Sequence, residues 1–494
     1  MGDIDPQLFN NSPELHFDLS PLTIANSLPS PHGSGAPLDW YDLLAEDAIN
    51  NIQKHNLGFD GTVLSRRQSP VAETPSVDTL LHSADQRLVE PPTHEPWNTP
   101  DIIPLADDEL NLLQYYVNEV GPILDLFDPE RHFATCVPRL AVHNVGLLKS
   151  LLAVAARHMA LHSSRQSHPS GFNDRTPGSN VSGMADETGL INPLLQVATQ
   201  YYYDTLRYLS QNLFYPAYSQ SDEIIATAIL ISTYEMFDAE GSYSDGAWER
   251  HLRGIFWIQK FQGNNGESKD GLRRAAWWSW IRQDIWVAFR EGRRVLTIFR
   301  PTKRLVDLTP DELATRILYL CARCVDYAST EKKTDMSIRI EQGDKLLHAL
   351  DDWHRILPSS FQPVYRLPPS ESGAFSPIWI HPPMYAAAMQ TFHFARITVI
   401  ISQPSTGGMN IFRQRQRCLD DSVETICGIA MMHQGQDLSS AFMNFQAVYA
   451  AGLCVQTPSK QSAILQLLEK ILDVGKFPPK TLLADLANYW REGS

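Results

Sequence analysis

The stretch LRRAAWWSWIRQDIWVAFRE, residues 272–291, decides the fold class of this chain. Its bulky apolar residues, including Trp277, Trp278 and Trp286, recur at spacings typical of a largely buried helix. Similar patterns predict helices over residues 192–211, 221–237, 246–261, 309–329, 338–357, 382–402, 409–432, 436–454, 459–475 and 479–491. No sustained alternation of period two competes with them, so the sequence predicts an all-α protein.

Further toward the N-terminus, a helix is predicted to begin near residue 107 and to end at Gly121-Pro122. Residues 144–159 are rich in Leu and Ala and predict a buried helix. Residues 162–190 are rich in Ser, Gly and Asn and predict a long mobile loop. We therefore assign residues 105–492 to one large helical domain.

Residues 1–104 differ in composition from the rest of the chain. The first 100 residues hold 14 acidic and 4 basic residues, and they sustain no helical period. Low hydrophobicity with net negative charge cannot offset the entropy of ordering, so we predict a mostly disordered acidic segment.

One island in this acidic segment, residues 39–49, alternates bulky apolar residues with carboxylates. Such a segment can form an amphipathic helix in the groove of a partner, or on the protein's own body. Its apolar members are candidates for an activation segment: Trp40, Tyr41, Leu43, Leu44 and Ile49.

The overall charge and cysteine content exclude several classes of protein. The formal net charge of −15 disfavours direct binding of the whole chain to nucleic acid. No apolar run approaches the length of a membrane span, and the acidic N-terminus does not resemble a secretory signal. Six sparse cysteines fit a reducing compartment. We expect a soluble intracellular protein without a membrane partner.

Motifs of common enzymes and metal sites are also missing from the sequence. There is no Gly-x-Ser-x-Gly elbow, no P-loop and no His-Glu-x-x-His pair. Asp420 and Asp421 have the residue types of a magnesium-binding carboxylate motif, but no second motif follows, which favours a solvated helix face. Cys321 and Cys324 lie in an apolar run and lack the two further ligands of a zinc site. We expect no enzymatic activity.

Three stretches together resemble a known family. They are YYVNEVGPILDLFD at 115–128, STYEMFD at 232–238 followed by WERHLRG at 248–254, and WWSWIRQDIWVAFREGRR at 277–294. In this order they closely resemble the fungal-specific transcription factor domain, in the branch of acriflavine-sensitivity control regulators. The resemblance covers about residues 108–490.

This resemblance implies a nuclear regulator of RNA polymerase II genes, of a metabolic, secondary-metabolite or drug-response set. Family members usually carry a six-cysteine zinc cluster before this domain, but no cysteine precedes Cys136 here. We expect no cofactor in this chain, and zinc only if a missing N-terminal cluster exists. The expected partners are coactivators or another zinc-cluster protein, DNA reached indirectly or through a missing domain, a small-molecule effector, and a second copy in a dimer. The alternatives are a helical biosynthetic enzyme, and a truncated regulator that acts as a ligand-sensing or dominant-negative module.

Within these motifs, basic residues are interleaved with tryptophans. This pattern suggests either contact with nucleic acid or a core with internal ion pairs. The charged residues concerned are Arg282, Asp284, Arg290, Glu291, Arg293 and Arg294. In the core alternative, Arg282, Asp284 and Glu291 form the internal ion pairs. A second set of structural pairs is predicted between two helices: Glu235 and Asp238, on the helix of Tyr234, with Arg250, His251 or Arg253. A ligand pocket beside the tryptophan-rich helix is also expected, but the sequence does not locate it.

Overall fold

A computed structural model describes residues 36–55, 95–166, 193–238, 247–297, 299–329, 335–368, 374–405, 407–433, 438–475 and 481–492. Its α-helices are α1 (Ala36–His55), α2 (Asp107–Tyr115), α3 (Gly121–Leu124), α4 (His132–Thr135), α5 (Val137–Ala141), α6 (Val145–Gln166), α7 (Pro193–Asn212), α8 (Asp222–Asp238), α9 (Ala247–Phe261), α10 (Gly271–Glu291), α11 (Pro310–Ala328), α12 (Met336–Arg355), α13 (Pro383–Ser402), α14 (Met409–His433), α15 (Leu438–Gly452), α16 (Pro458–Gly475) and α17 (Thr481–Glu492). The described part has one two-stranded antiparallel sheet, β1 (Tyr365–Arg366) and β2 (Ile378–Trp379), with Tyr365 opposite Trp379. The predicted all-α class is confirmed.

Helix α10 lies at the centre of the body, and local sequence fixes both of its ends. The Asp270 carboxylate accepts a hydrogen bond from the Arg273 backbone N–H at 2.8 Å, which caps the first turn. Gly292 ends the helix in the left-handed conformation, with φ of 64° and its N–H bonded to the Ala288 carbonyl. Between these ends almost every side chain is buried. Neighbouring helices α8, α9 and α11 pack around it.

The other helices form two packed groups. Helix α6 packs against α7 and α8, and helix α13 packs against α11, α14 and α15. Helix α16 packs on α15. Side chains of both groups belong to one continuous hydrophobic core, so the described helices build a single body. None of the described helices is long and apolar enough to cross a bilayer.

The predicted helix end at Gly121-Pro122 was wrong. The chain passes from α2 through a π-helical turn, Tyr116–Val120, directly into α3, and then into a 3₁₀ turn, Asp125–Phe127. Pro122 lies in the first turn of α3, where the absence of its backbone N–H costs no hydrogen bond within that helix. Gly121 lies against the backbone of Ala134, and a Cβ there would be 2.9 Å from the Ala134 Cα. The Gly-Pro pair therefore serves close packing and does not end the helical run.

Two predicted boundaries also differ from the structure. Residues 95–104 fall in the segment predicted to be disordered, yet Trp97 is buried in the core and the Thr99 N–H donates to the His143 carbonyl at 2.7 Å. Residues 162–166 fall in the predicted mobile loop, but they continue helix α6 to Gln166. The rest of that loop lies outside the described residues.

Candidate functional site

The tryptophans of α10 lie inside the protein. Trp277 and Trp278 pack edge-on against Phe299, with ring centroids 5.6 Å and 6.3 Å away. Trp286 is fully buried and meets Phe445 at 6.2 Å. Stacking on nucleic-acid bases requires exposed rings. The structure therefore agrees with the core alternative for these tryptophans.

The carboxylate of Asp284 is fully buried and organises the chain that follows α10. One oxygen accepts from the Arg293 guanidinium at 2.9 Å, and the other accepts from the Leu296 backbone N–H at 2.7 Å. Arg293 also binds Glu291 at 3.0 Å and donates to the Arg294 carbonyl at 2.7 Å. The internal ion pairs predicted here are present, but the partner of Asp284 and Glu291 is Arg293 and not Arg282.

Arg282 binds backbone carbonyls instead. Its guanidinium donates to the Ile123 and Leu124 carbonyls at 3.1 Å and 2.9 Å, and it lies over the Phe127 ring. Burial lowers the pKa of Arg282 to about 10, and the nearby Asp125 carboxylate opposes that shift. Arg282 thereby joins α10 to the end of α3.

The remaining arginines of this region connect α10 to other helices. Arg294 forms two hydrogen bonds with Asp326 of α11, at 2.7 Å and 3.3 Å, and both residues are buried. Arg290 donates to the Tyr449 hydroxyl and to Asp485, 3.1 Å away. Arg290 and Arg294 are therefore engaged in contacts within the protein.

The Tyr234 motif forms a second polar cluster. The Tyr202 hydroxyl donates to Glu235 at 2.6 Å, and the Tyr202 ring stacks on Tyr234 at 4.7 Å. The Glu235 carboxylate is 4.0 Å from His251 Nδ1. Asp238 and Arg250 lie in α8 and α9, but their side chains are outside the described ones. The predicted contact between Glu235 and His251 is thus present, and it joins the two helices.

Helix α1 contains the candidate activation segment, and its apolar face is buried against the body. Trp40, Tyr41 and Leu44 are each at most 1% exposed. Helices α9 and α7 form the surface that holds them. Gly254 of α9 makes room for Trp40, because a Cβ on this glycine would lie 2.2 Å from the indole Cδ1. Leu43 is partly exposed, and the side chain of Ile49 is outside the described ones.

A cavity of about 620 Å³ opens beside the N-terminal half of α10. Trp278 and Phe299 form its apolar wall, and Arg274, Glu267 and Arg316 contribute charge. The Arg316 guanidinium is 3.3 Å from Glu267, which also accepts backbone hydrogen bonds. The cavity therefore combines an aromatic wall with charged groups, which are features of small-molecule sites.

The carboxylate and cysteine motifs occupy the positions of ordinary structural residues. Asp420 and Asp421 are exposed on α14, and Asp421 lies 3.8 Å from Arg396. Cys321 and Cys324 are fully buried in α11, where burial raises the pKa of both thiols. Over the residues that the structure describes, no three His, Cys, Asp or Glu side chains are grouped to hold a metal ion.

Comparison with known proteins relates part of this body to a family. Residues 111–278 match the family described as the fungal specific transcription factor domain. This match confirms the family resemblance of the sequence motifs.

A curated relative supports the same class. The transcription activator AMTR1 of Alternaria alternata is 21% identical to this chain in an alignment 479 residues long. The alignment covers 73% of this chain and 60% of the relative. The match thus spans less than two thirds of the relative's length. No solved structure matches the chain.

Proposed function

We propose that this protein regulates the transcription of RNA polymerase II genes in the nucleus. The observation that carries the proposal is the fungal-specific transcription factor domain over residues 111–278. The relative named a transcription activator favours activation over repression. A metabolic, secondary-metabolite or drug-response gene set is the target that the family resemblance favours.

The protein is proposed to reach promoters through protein partners. Arg282 of α10 and the following Arg293 and Arg294 are engaged inside the body, and the chain carries a net charge of −15. Affinity for DNA depends on cations that can neutralise phosphates. A second protein with a DNA-binding zinc cluster, or a further domain of that type, would supply them.

The direct test is to map where the full chain sits on chromatin. We expect a tagged protein to enrich discrete promoters, and the transcripts of those genes to change when its gene is deleted. Depletion of a copurifying zinc-cluster protein should remove the enrichment. Absence of promoter enrichment together with unchanged transcripts would refute a role in transcription.

The cavity beside α10 favours a second, compatible role in sensing a small molecule. A compound with a flat apolar part and a charged group would match the wall of Trp278 and Phe299 and the charged side chains beside it. Such a ligand stabilises the folded state by mass action. It should raise the unfolding temperature of the native protein but less, or not at all, that of a Thr315→Trp variant, in which the larger side chain occupies part of the cavity. Equal stabilisation of both proteins would place the ligand elsewhere. The described residues give no comparable support for the enzyme alternative.

A further inference from the structure

Helix α1 has two chemically different faces. Its buried face is a stripe of residues three or four positions apart, which is one side of a helix. This stripe consists of Trp40, Tyr41, Leu44, Ala45 and Ala48. Asp42 and Glu46 are exposed on the other side. An apolar helix face bordered by carboxylates fits an apolar groove with a basic rim on another protein.

The body covers the stripe completely. Its three bulky side chains belong to the same hydrophobic core as the rest of the body, so none of them can contact another protein while α1 stays in place. In the described part of the chain, the extensive contacts of α1 are with α9 and α7. The cap and the ion pairs described for central helix α10 are made with other parts of the chain. Release of α1 would therefore leave those interactions in place.

We propose that α1 is an interaction surface for a transcription coactivator and that the body of the same chain holds this surface closed. The proposal rests on the proposed function in transcription. Docking of α1 on the body and binding of α1 to a coactivator exclude each other, because both use Trp40, Tyr41 and Leu44. The apparent affinity for the coactivator is then reduced by the fraction of molecules in which α1 is free.

Gly254 allows this contact to be broken from the side of the body. A leucine there would collide with the Trp40 ring, while leucine is a better helix former than glycine within α9. Gly408 is the matched control, because a Cβ added at that position meets no atom within 4 Å. Gly254→Ala is a second, milder route to the same state. Its Cβ alone would lie 2.2 Å from the Trp40 Cδ1, and the whole α1 stripe stays intact.

The experiment uses the full chain fused to a heterologous DNA-binding module, with a reporter gene as readout. Hydrogen exchange over residues 36–55 reports whether α1 is released. If α1 is free in about a tenth or fewer of the native molecules, its full release raises reporter transcription by roughly tenfold or more. Gly254→Leu and Gly254→Ala should both show a rise, and Gly408→Leu should not. Adding Trp40→Ala to Gly254→Leu should return the signal to baseline.

Three results would overturn the proposal, and they separate it from the proposed function. If the native fusion activates the reporter and release of α1 adds nothing, the closed surface is rejected while the role in transcription stands. If release raises transcription but Trp40→Ala does not reverse it, α1 is not the contact surface. If neither the native nor the released chain changes the reporter, activation by this chain fails, and the masking of α1 fails with it.

Discussion

Asp284 is a carboxylate that the fold has removed completely from water, and its partners explain why it is tolerated. Arg293 supplies the opposite charge and the Leu296 N–H a further hydrogen bond. A buried charge without such partners costs several kcal/mol. The position of Asp284 within the helix suggested an ion pair. Its partner Arg293 lies beyond the helix end at Gly292. Helical spacing does not predict contacts across such a turn.

Removing this charge should destabilise the protein strongly. Asp284→Asn removes the buried carboxylate that pairs with Arg293, and we expect the free energy of unfolding to fall by about 3 kcal/mol. Urea denaturation followed by circular dichroism measures the change. The control is Asp307→Asn, which removes a carboxylate paired with Arg304 on the surface. We expect little change there, because water screens exposed pairs. Equal losses in the two variants would contradict the structural role of Asp284.

Asp125 should make the stability of the protein depend on pH. Burial raises the pKa of its carboxyl from 3.8 to about 7, although the backbone N–H groups of Phe133 and Ala134 oppose the shift. The folded protein thus binds this proton more tightly than the unfolded chain. The resulting stability is fully present below about pH 4 and is lost as the pH rises through about 7.

We therefore expect the urea midpoint of the native protein to fall between about pH 5 and pH 8, relative to that of an Asp125→Asn variant. We compare how the two urea midpoints change with pH. This comparison removes the constant change in stability caused by replacing the carboxylate, because that change is the same at every pH. Parallel profiles for the two proteins would show that Asp125 keeps an ordinary pKa.

At the scale of elements, the apolar period predicted most helices to within about two residues. The predicted span 309–329 became Pro310–Ala328, because the capping pair of Thr309 and Glu312 begins that helix at a recognisable signal. The period could not predict where α1 would bind, because the same amphipathic stripe suits the protein's own body and a foreign groove equally well. The period also gave a wrong helix end at Gly121-Pro122. Glycine is needed there because the backbone of Ala134, which belongs to another helix, packs against it.

The close contact at Gly121 gives a prediction of its own. Alanine is the better helix former, yet Gly121→Ala would press a methyl group against the Ala134 backbone. We expect a loss of about 1–3 kcal/mol in the free energy of unfolding, as for other overpacked sites. Chemical denaturation measures it, and Gly408→Ala, in open space, is the control. A stabilised Gly121→Ala protein would show that the junction of α2 and α3 relaxes easily.

At the scale of the whole molecule, charge decides how the protein approaches DNA. The net charge is −15, and the arginines of the family motif bind carbonyls and carboxylates inside the fold. We expect this chain alone to show no salt-dependent binding to duplex DNA at physiological ionic strength. Fluorescence anisotropy with labelled promoter DNA tests this expectation. Tight binding that weakens by several powers of ten as salt rises would reveal a cationic surface and contradict access through a partner.

The position of α10 has a consequence for how this protein can be divided. The family match ends at residue 278, inside the helix that runs from Gly271 to Glu291. A fragment bounded by the match would cut this helix and lose Asp284, and with it the order of the chain that follows. The stretch that the family match covers is therefore shorter than the stretch that must fold together. The match ends at residue 278, whereas the folding unit extends at least to Asp326, which completes the ion pair of Arg294.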